Sequence, residues 1–209
     1  NTNTLEFITI ANTGNSQDFG DQTSGGVSQE AAASNSTRGL FAGGIFPGST
    51  VHDVTEYITI ATLGNAIDFG NLIASVTSNT GVADATRALF AGGIGPASPF
   101  PTVNRIEFFT IASAGDATDF GDLTFSARYP GSTGDSTRGV FMGGSTPSGI
   151  NTICFVTIQT TGDATDFGDL VTASYDIAAT SNNTRGIMGA GVASAITNTI
   201  EQLTIQTKG

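Results

Sequence analysis

The chain has 209 residues, with 7 Lys plus Arg against 18 Asp plus Glu, a formal net charge of −11, one Cys and no Trp. Basic residues this few and this scattered cannot neutralise a phosphate backbone, which argues against nucleic-acid binding, and one Cys gives neither an internal disulfide nor a Cys/His zinc site. No apolar run reaches the roughly 20 residues of a membrane helix, while 38% apolar and 12% charged residues fit a folded, glycine-rich chain rather than a disordered one.

Taken in chain order, the first element is a β-branched and aromatic run, Leu5-Glu6-Phe7-Ile8-Thr9-Ile10, whose composition suits a packed strand. A Gly14-Asn15 turn reverses the chain into Asp18-Phe19-Gly20. A small-residue stretch, Ala31-Ala32-Ala33-Ser34, leads to Arg38 and then to an apolar strand closed by Gly43-Gly44. A Pro- and Gly-containing loop carrying Phe46 and His52 follows, and the next β-branched run, Glu56-Tyr57-Ile58-Thr59-Ile60, starts the cycle again.

The cycle repeats four times. Asp-Phe-Gly recurs at Asp18, Asp68, Asp119 and Asp166, and the Thr-Arg motif at Arg38, Arg87, Arg138 and Arg185. A strand ending in Thr-Ile recurs at Ile10, Ile60, Ile111, Ile158 and Ile205. The units divide the chain at 1–22 (partial), 23–72, 73–122, 123–169 and 170–209 (partial), as one tandem-repeat domain. Four short strands per unit of about 50 residues, with no helical stripe, predict an all-β chain folded as a β-propeller; a β-solenoid is the alternative, with coils nearer 20–30 residues. The innermost strand of a blade is crowded and takes Ala, Ser, Gly and Thr, whereas the middle strands are covered on both faces and read as continuous apolar runs.

An apolar strand closed by Gly-Gly, a variable loop and an aromatic strand together resemble the kelch-type blade. The departure is that Phe19, Phe69, Phe120 and Phe167 stand where a kelch blade has Trp. The unit is similar to divergent kelch-like repeats in virion structural and tail-fibre proteins of aquatic, cyanophage-type bacteriophages, and the similarity spans essentially the whole chain. It implies a non-enzymatic module of a phage virion, fibre or particle surface, used in assembly or host-surface attachment. Its implied location is the virion or the extracellular space, and its implied partners are other virion subunits or a host glycan. A secreted bacterial carbohydrate-binding or adhesion propeller is the alternative, and a polysaccharide hydrolase a third.

The residues Asn3–Ile10 and Asn198–Ile205 are copies of one strand. In a closed four-blade ring one copy has no slot, so the chain reads as part of a longer array or as one that self-associates through the spare strand. The opening Asn1, without an initiator Met, reads as a mature or partial product.

Candidate chemistry is sparse. Equal numbers of motif Arg and motif Asp predict an Arg–carboxylate fork in or between blades, against a ring of arginines gripping an anion at the channel. Asp-Phe-Gly reads as a turn motif, because a kinase site needs a strand lysine and the one lysine is Lys208. No cofactor is expected; the acidic series Asp116, Asp119, Asp122 and its copy Asp163, Asp166, Asp169 is the set that could offer Ca²⁺ hard oxygens, against an Asx-turn role. Cys154 replaces the Glu of the other units, and His52 reads as a surface residue in a variable loop. The Asn35 and Asn182 glycosylation patterns are those a Thr- and Asn-rich chain yields by chance. The loops break the repeat symmetry, so Phe46, His52, Phe100 and Pro147 are the ligand-binding candidates.

Overall fold

A computed structural model describes residues 2–189 and 191–207. The chain is all-β. It begins with a two-stranded sheet, β1 (Thr4–Phe7) and β2 (Gln17–Asp21). The first full blade holds β3 (Ala31–Ser34) and β4 (Arg38–Ala42), then a short hairpin of β5 (Ile45–Phe46) and β6 (Thr50–Val51), then β7 (Val54–Thr59) and β8 (Ile67–Asn71). The second blade is β9 (Thr80–Ala83), β10 (Arg87–Ala91), β11 (Arg105–Thr110) and β12 (Thr118–Asp122). The third is β13 (Gly131–Gly134), β14 (Arg138–Met142), β15 (Thr152–Thr157) and β16 (Thr165–Asp169). The fourth has three strands, β17 (Ala178–Ser181), β18 (Arg185–Gly189) and β19 (Ile200–Thr204).

Each blade is an antiparallel meander in sequence order, and the four stand in a ring as the blades of a propeller. The inner strands β3, β9, β13 and β17 pack successively, and their small residues permit that approach. The middle strands are buried on both faces: Leu40, Leu89 and Val140 are fully enclosed. The propeller expected from the repeat period is therefore what the chain forms, with a half-blade, β1–β2, flanking the first complete blade.

The Asp-Phe-Gly triplet is not a turn, as its residue types suggested. It lies inside the outermost strand of each blade, where the register slips by one residue. Leu5 faces Gly20 and Glu6 faces Asp18, so Phe19 is the extra residue of a β-bulge. The bulge turns Phe19, Phe69, Phe120 and Phe167 inward, each edge-on to the aromatic ring of the neighbouring strand: Phe7, Tyr57, Phe108 and Phe155. The glycine after Phe has φ +142 to +150. At Gly70 a Cβ would stand 2.3 Å from the carbonyl oxygen of Gly115 in the next blade, so the position needs both a left-handed backbone and no side chain.

The core is a series of seams between blades. Leu40, Phe69 and Ile111 meet at the first; Leu89, Ile106, Phe120 and Ile158 at the second; Val140, Ile153, Phe167 and Ile205 at the third.

Candidate functional site

The motif polar groups work at these seams. Arg38, Arg87 and Arg138 do not fork onto carboxylates. Each donates from Nη1 to a backbone carbonyl of the following blade, that of Ile111 at 2.7 Å, Ile158 at 3.1 Å and Ile205 at 3.0 Å. Each guanidinium also lies over an aromatic ring of its own blade, Tyr57, Phe108 or Phe155, at 4.4–4.6 Å from the centroid. The predicted partners Asp18, Asp68, Asp119 and Asp166 are exposed on the outer strands. Among the described residues the one ion pair is Arg105 with Glu107, at 2.8 Å. The equal stoichiometry misled because the true acceptor is a main-chain oxygen, which every residue carries. Arg185 is exposed, and its guanidinium has no partner among the described residues.

The Asn and Asp residues of the turns are also placed between blades. Asn65, Asp116 and Asp163 each accept, through Oδ1, the backbone N–H of the preceding blade's outer strand (Asp21, Asn71 and Asp122) at 3.0 Å. Glu56 takes the N–H groups of Thr23 and Ser24, Glu107 that of Ile73, and Glu201 those of Val171 and Thr172. Burial pushes the Glu107 carboxyl up, against the Ile73 N–H and Arg105, which hold it down. Cys154 occupies the same slot in the third blade and is buried, and burial raises its thiol pKa. Among the described residues no group of three His, Cys, Asp or Glu is arranged to hold a metal. Lys208 lies outside the described residues.

The Asx residues before each motif Arg were missed in the sequence. Asn35, Asp84, Asp135 and Asn182 each cap the tight turn that follows, accepting the N–H of the residue two on and of the Arg itself. For Asp84, burial pulls upward, but the Arg87 and Thr86 N–H groups and the Gln159 amide outweigh it and hold the carboxyl below its ordinary range. Asn35 and Asn182, the two glycosylation patterns, are two members of this set.

The loop candidates rise on one face of the ring. Inner and second strands pair so that Ala31 meets Ala42, and the ladder continues through isolated bridges from Ser28 to Ile45, Thr77 to Ile94, Arg128 to Ser145 and Tyr175 to Val192. The loops bearing Phe46, Phe100 and Pro147 therefore stand at the same end as the beginnings of the inner strands. Phe100 is exposed with φ +60, and Pro147 is exposed. His52 is not a surface residue. It is 7% exposed, its ring stacks on Phe46 with centroids 4.2 Å apart, and neither ring nitrogen has a hydrogen-bond partner. The β5–β6 hairpin folds back and covers it. Burial lowers its pKa, against the opposing pull of Asp53 and Glu56.

At the centre of that face lies an axial cavity of about 350 Å³, which the sequence did not disclose. Gln29, Ser78, Tyr129 and Asp176, one from each blade, line it together with Glu30, Asn79, Pro130 and Ile177. The first four all have positive φ, from +55 to +59, although none is glycine. The strain of such a backbone, about 1 kcal/mol each, is held by bonds from blade to blade: Ser78 N–H donates to Gln29 O, Tyr129 N–H to Ser78 O and Asp176 N–H to Tyr129 O, at 2.9–3.2 Å. The side-chain oxygen of Asn79 is buried without a partner. Burial raises the Glu30 carboxyl, with the Gln22 amide opposing and Glu56 adding. The Arg motifs lie at the other end of the strands, so no ring of arginines faces the cavity. Amide, hydroxyl, carboxylate and aromatic groups on one opening are what a polar, ring-shaped ligand such as a sugar needs.

No family model matches the chain, and no curated protein matches it.

Proposed function

We propose that this chain is a non-enzymatic structural and attachment module of a phage virion, carried on a fibre or particle surface, where it serves assembly or host-surface binding. The observation that carries the non-enzymatic part is the use of the repeated polar groups. Arg38, Arg87 and Arg138, the turn residues Asn65, Asp116 and Asp163, and Glu56, Glu107 and Glu201 are engaged in joining blades, which leaves a rigid scaffold with variable loops and an axial opening on one face. Recognition at such a face suits a particle that must hold shape while it touches a surface. The kelch-like repeat carries the virion part. The test is mass spectrometry of purified particles; absence of the protein from them overturns the virion assignment.

A second reading, a secreted bacterial carbohydrate-binding propeller, draws on the axial cavity. In either case Asn79→Ala and Tyr129→Ala should each weaken glycan-array binding about tenfold, the loss of one buried polar or stacking contact. A polysaccharide hydrolase draws least support, because the repeat's turn acids and strand glutamates hold backbone N–H groups; hydrolysis of a host polysaccharide by the purified protein would revive it.

A further inference from the structure

The axial cavity has two unlike halves. The third and fourth blades give it apolar surface from Tyr129, Pro130 and Ile177, whereas the first and second give it Gln29, Glu30, Ser78 and Asn79. A pyranose is divided in the same way, with C–H groups on its faces and polar groups around its edge. At about 350 Å³ the cavity stands at the small end of ligand sites, which start near roughly 300 Å³, so it suits a single ring.

The polar half has spent its donors and kept its acceptors. The Ser78 hydroxyl donates to Gln29 Oε1 at 2.9 Å, and Asn79 Nδ2 to the Ala42 carbonyl at 3.5 Å. The N–H groups of Ser78, Tyr129 and Asp176 are used between blades. Asn79 is 9% exposed, and its side-chain oxygen has no partner. The Glu30 carboxylate is half-buried and accepts from the Gln22 amide, and no cation among the described residues pairs with it. Asp176 adds a second carboxylate, and no described Lys, Arg or His lines the cavity. A half-buried carboxylate without a counter-charge favours a ligand that brings one. The backbone gives separate support. Gly would occupy the positive-φ positions of Gln29, Ser78, Tyr129 and Asp176 without strain, yet four different side chains are kept there.

We propose that the axial cavity binds an amino sugar, a single pyranose whose protonated amine pairs with the Glu30 carboxylate and whose C–H face lies against Tyr129 and Ile177. The Asp176 carboxylate adds to the negative field that draws the amine in. This assignment rests on the carbohydrate reading of the ring face and names the sugar class that the face selects.

The experiment titrates the full chain, followed by NMR, with glucosamine, glucose and N-acetylglucosamine. The three share one ring and differ at C2, which carries an ammonium, a hydroxyl or an acetamide. Glucosamine should bind about tenfold more tightly than the other two, the worth of one charge-assisted contact. Glu30→Gln keeps an acceptor for the Gln22 amide, so it should erase this preference while glucose binding and the melting temperature stay unchanged. Asp176→Asn, at an exposed position, repeats the test without touching a seam and should lower glucosamine affinity by a smaller factor. Equal binding of the three sugars overturns the amine assignment and leaves the carbohydrate reading standing. Binding of none overturns both. A glucosamine preference that survives both variants places the ammonium elsewhere and overturns the cavity as its site.

Discussion

Arg87 reaches out of its own blade to donate to the carbonyl oxygen of Ile158, 71 residues further along the chain, at 3.1 Å. Its guanidinium at the same time covers the Phe108 ring. A charged donor on a backbone acceptor contributes about 1.5–3 kcal/mol, and a partly buried cation–π contact about 1 kcal/mol. Arg87→Ala should cost about 3 kcal/mol in urea unfolding. Arg87→Lys should cost roughly half as much, because an ammonium keeps the charge and one donor but not the flat face that stacks.

The bulge glycine offers a sharper contrast. Gly70→Ala places a methyl group against the Gly115 carbonyl at a φ that L-residues avoid, and the contact is backbone, so neither side can yield cheaply. A loss of more than about 3 kcal/mol is expected. Gly14→Ala, in the turn before β2, meets nothing within 4 Å and should shift stability by less than about 0.5 kcal/mol. Equal urea midpoints for the two variants would refute the close-approach argument.

The contrast between these positions shows what the sequence could and could not disclose. The propeller was legible because strand composition, turn residues and period all repeat in phase, and because the Phe of each triplet recurs at one place. The bulge was not, since Asp, Phe and Gly with a positive-φ glycine suit a turn as well as a strand that must kink. The Arg acceptors were hidden because Ile111, Ile158 and Ile205 use their main-chain oxygens, which no residue type announces. The axial cavity was hidden for a different reason. Its lining residues, Gln29, Ser78, Tyr129 and Asp176, share a backbone conformation and no chemistry, so no repeat marks them. His52 was misplaced because burial there depends on how the β5–β6 hairpin folds back, a tertiary fact.

Cys154 gives a probe of cooperativity. Its thiol is fully enclosed in the second seam, and burial holds its pKa above the ordinary range, so thiolate is scarce and out of reach. Alkylation by iodoacetamide at neutral pH should be negligible in the native protein and complete in urea. If the blades open as a unit, the labelling midpoint in urea coincides with the loss of β-sheet circular dichroism. Labelling well before that midpoint would show the second seam opening on its own.

Titration of His52 gives the last prediction. Its folded pKa lies below the ordinary 6.5, with burial as the main cause and Asp53 and Glu56 opposing. The unfolded chain thus takes up a proton near 6.5 that the folded chain refuses. The stability held by neutral His52 is complete above that value and declines as pH falls through it, by at most about 1.4 kcal/mol per pH unit. Glu30 and Glu107 act in the opposite sense. Their folded pKa values are raised, so they favour the folded state at lower pH and lose that contribution as pH rises above their ordinary 4.5. The measurement is therefore a difference. The unfolding free energy of the wild type minus that of His52→Leu, compared between about pH 7.5 and about pH 5.5, should fall as the solution is acidified, because the variant lacks the histidine's slope. A constant difference across that window would mean that the His52 ring takes up its proton in the folded state as readily as in the unfolded one, and that the Phe46 stack leaves it open to water.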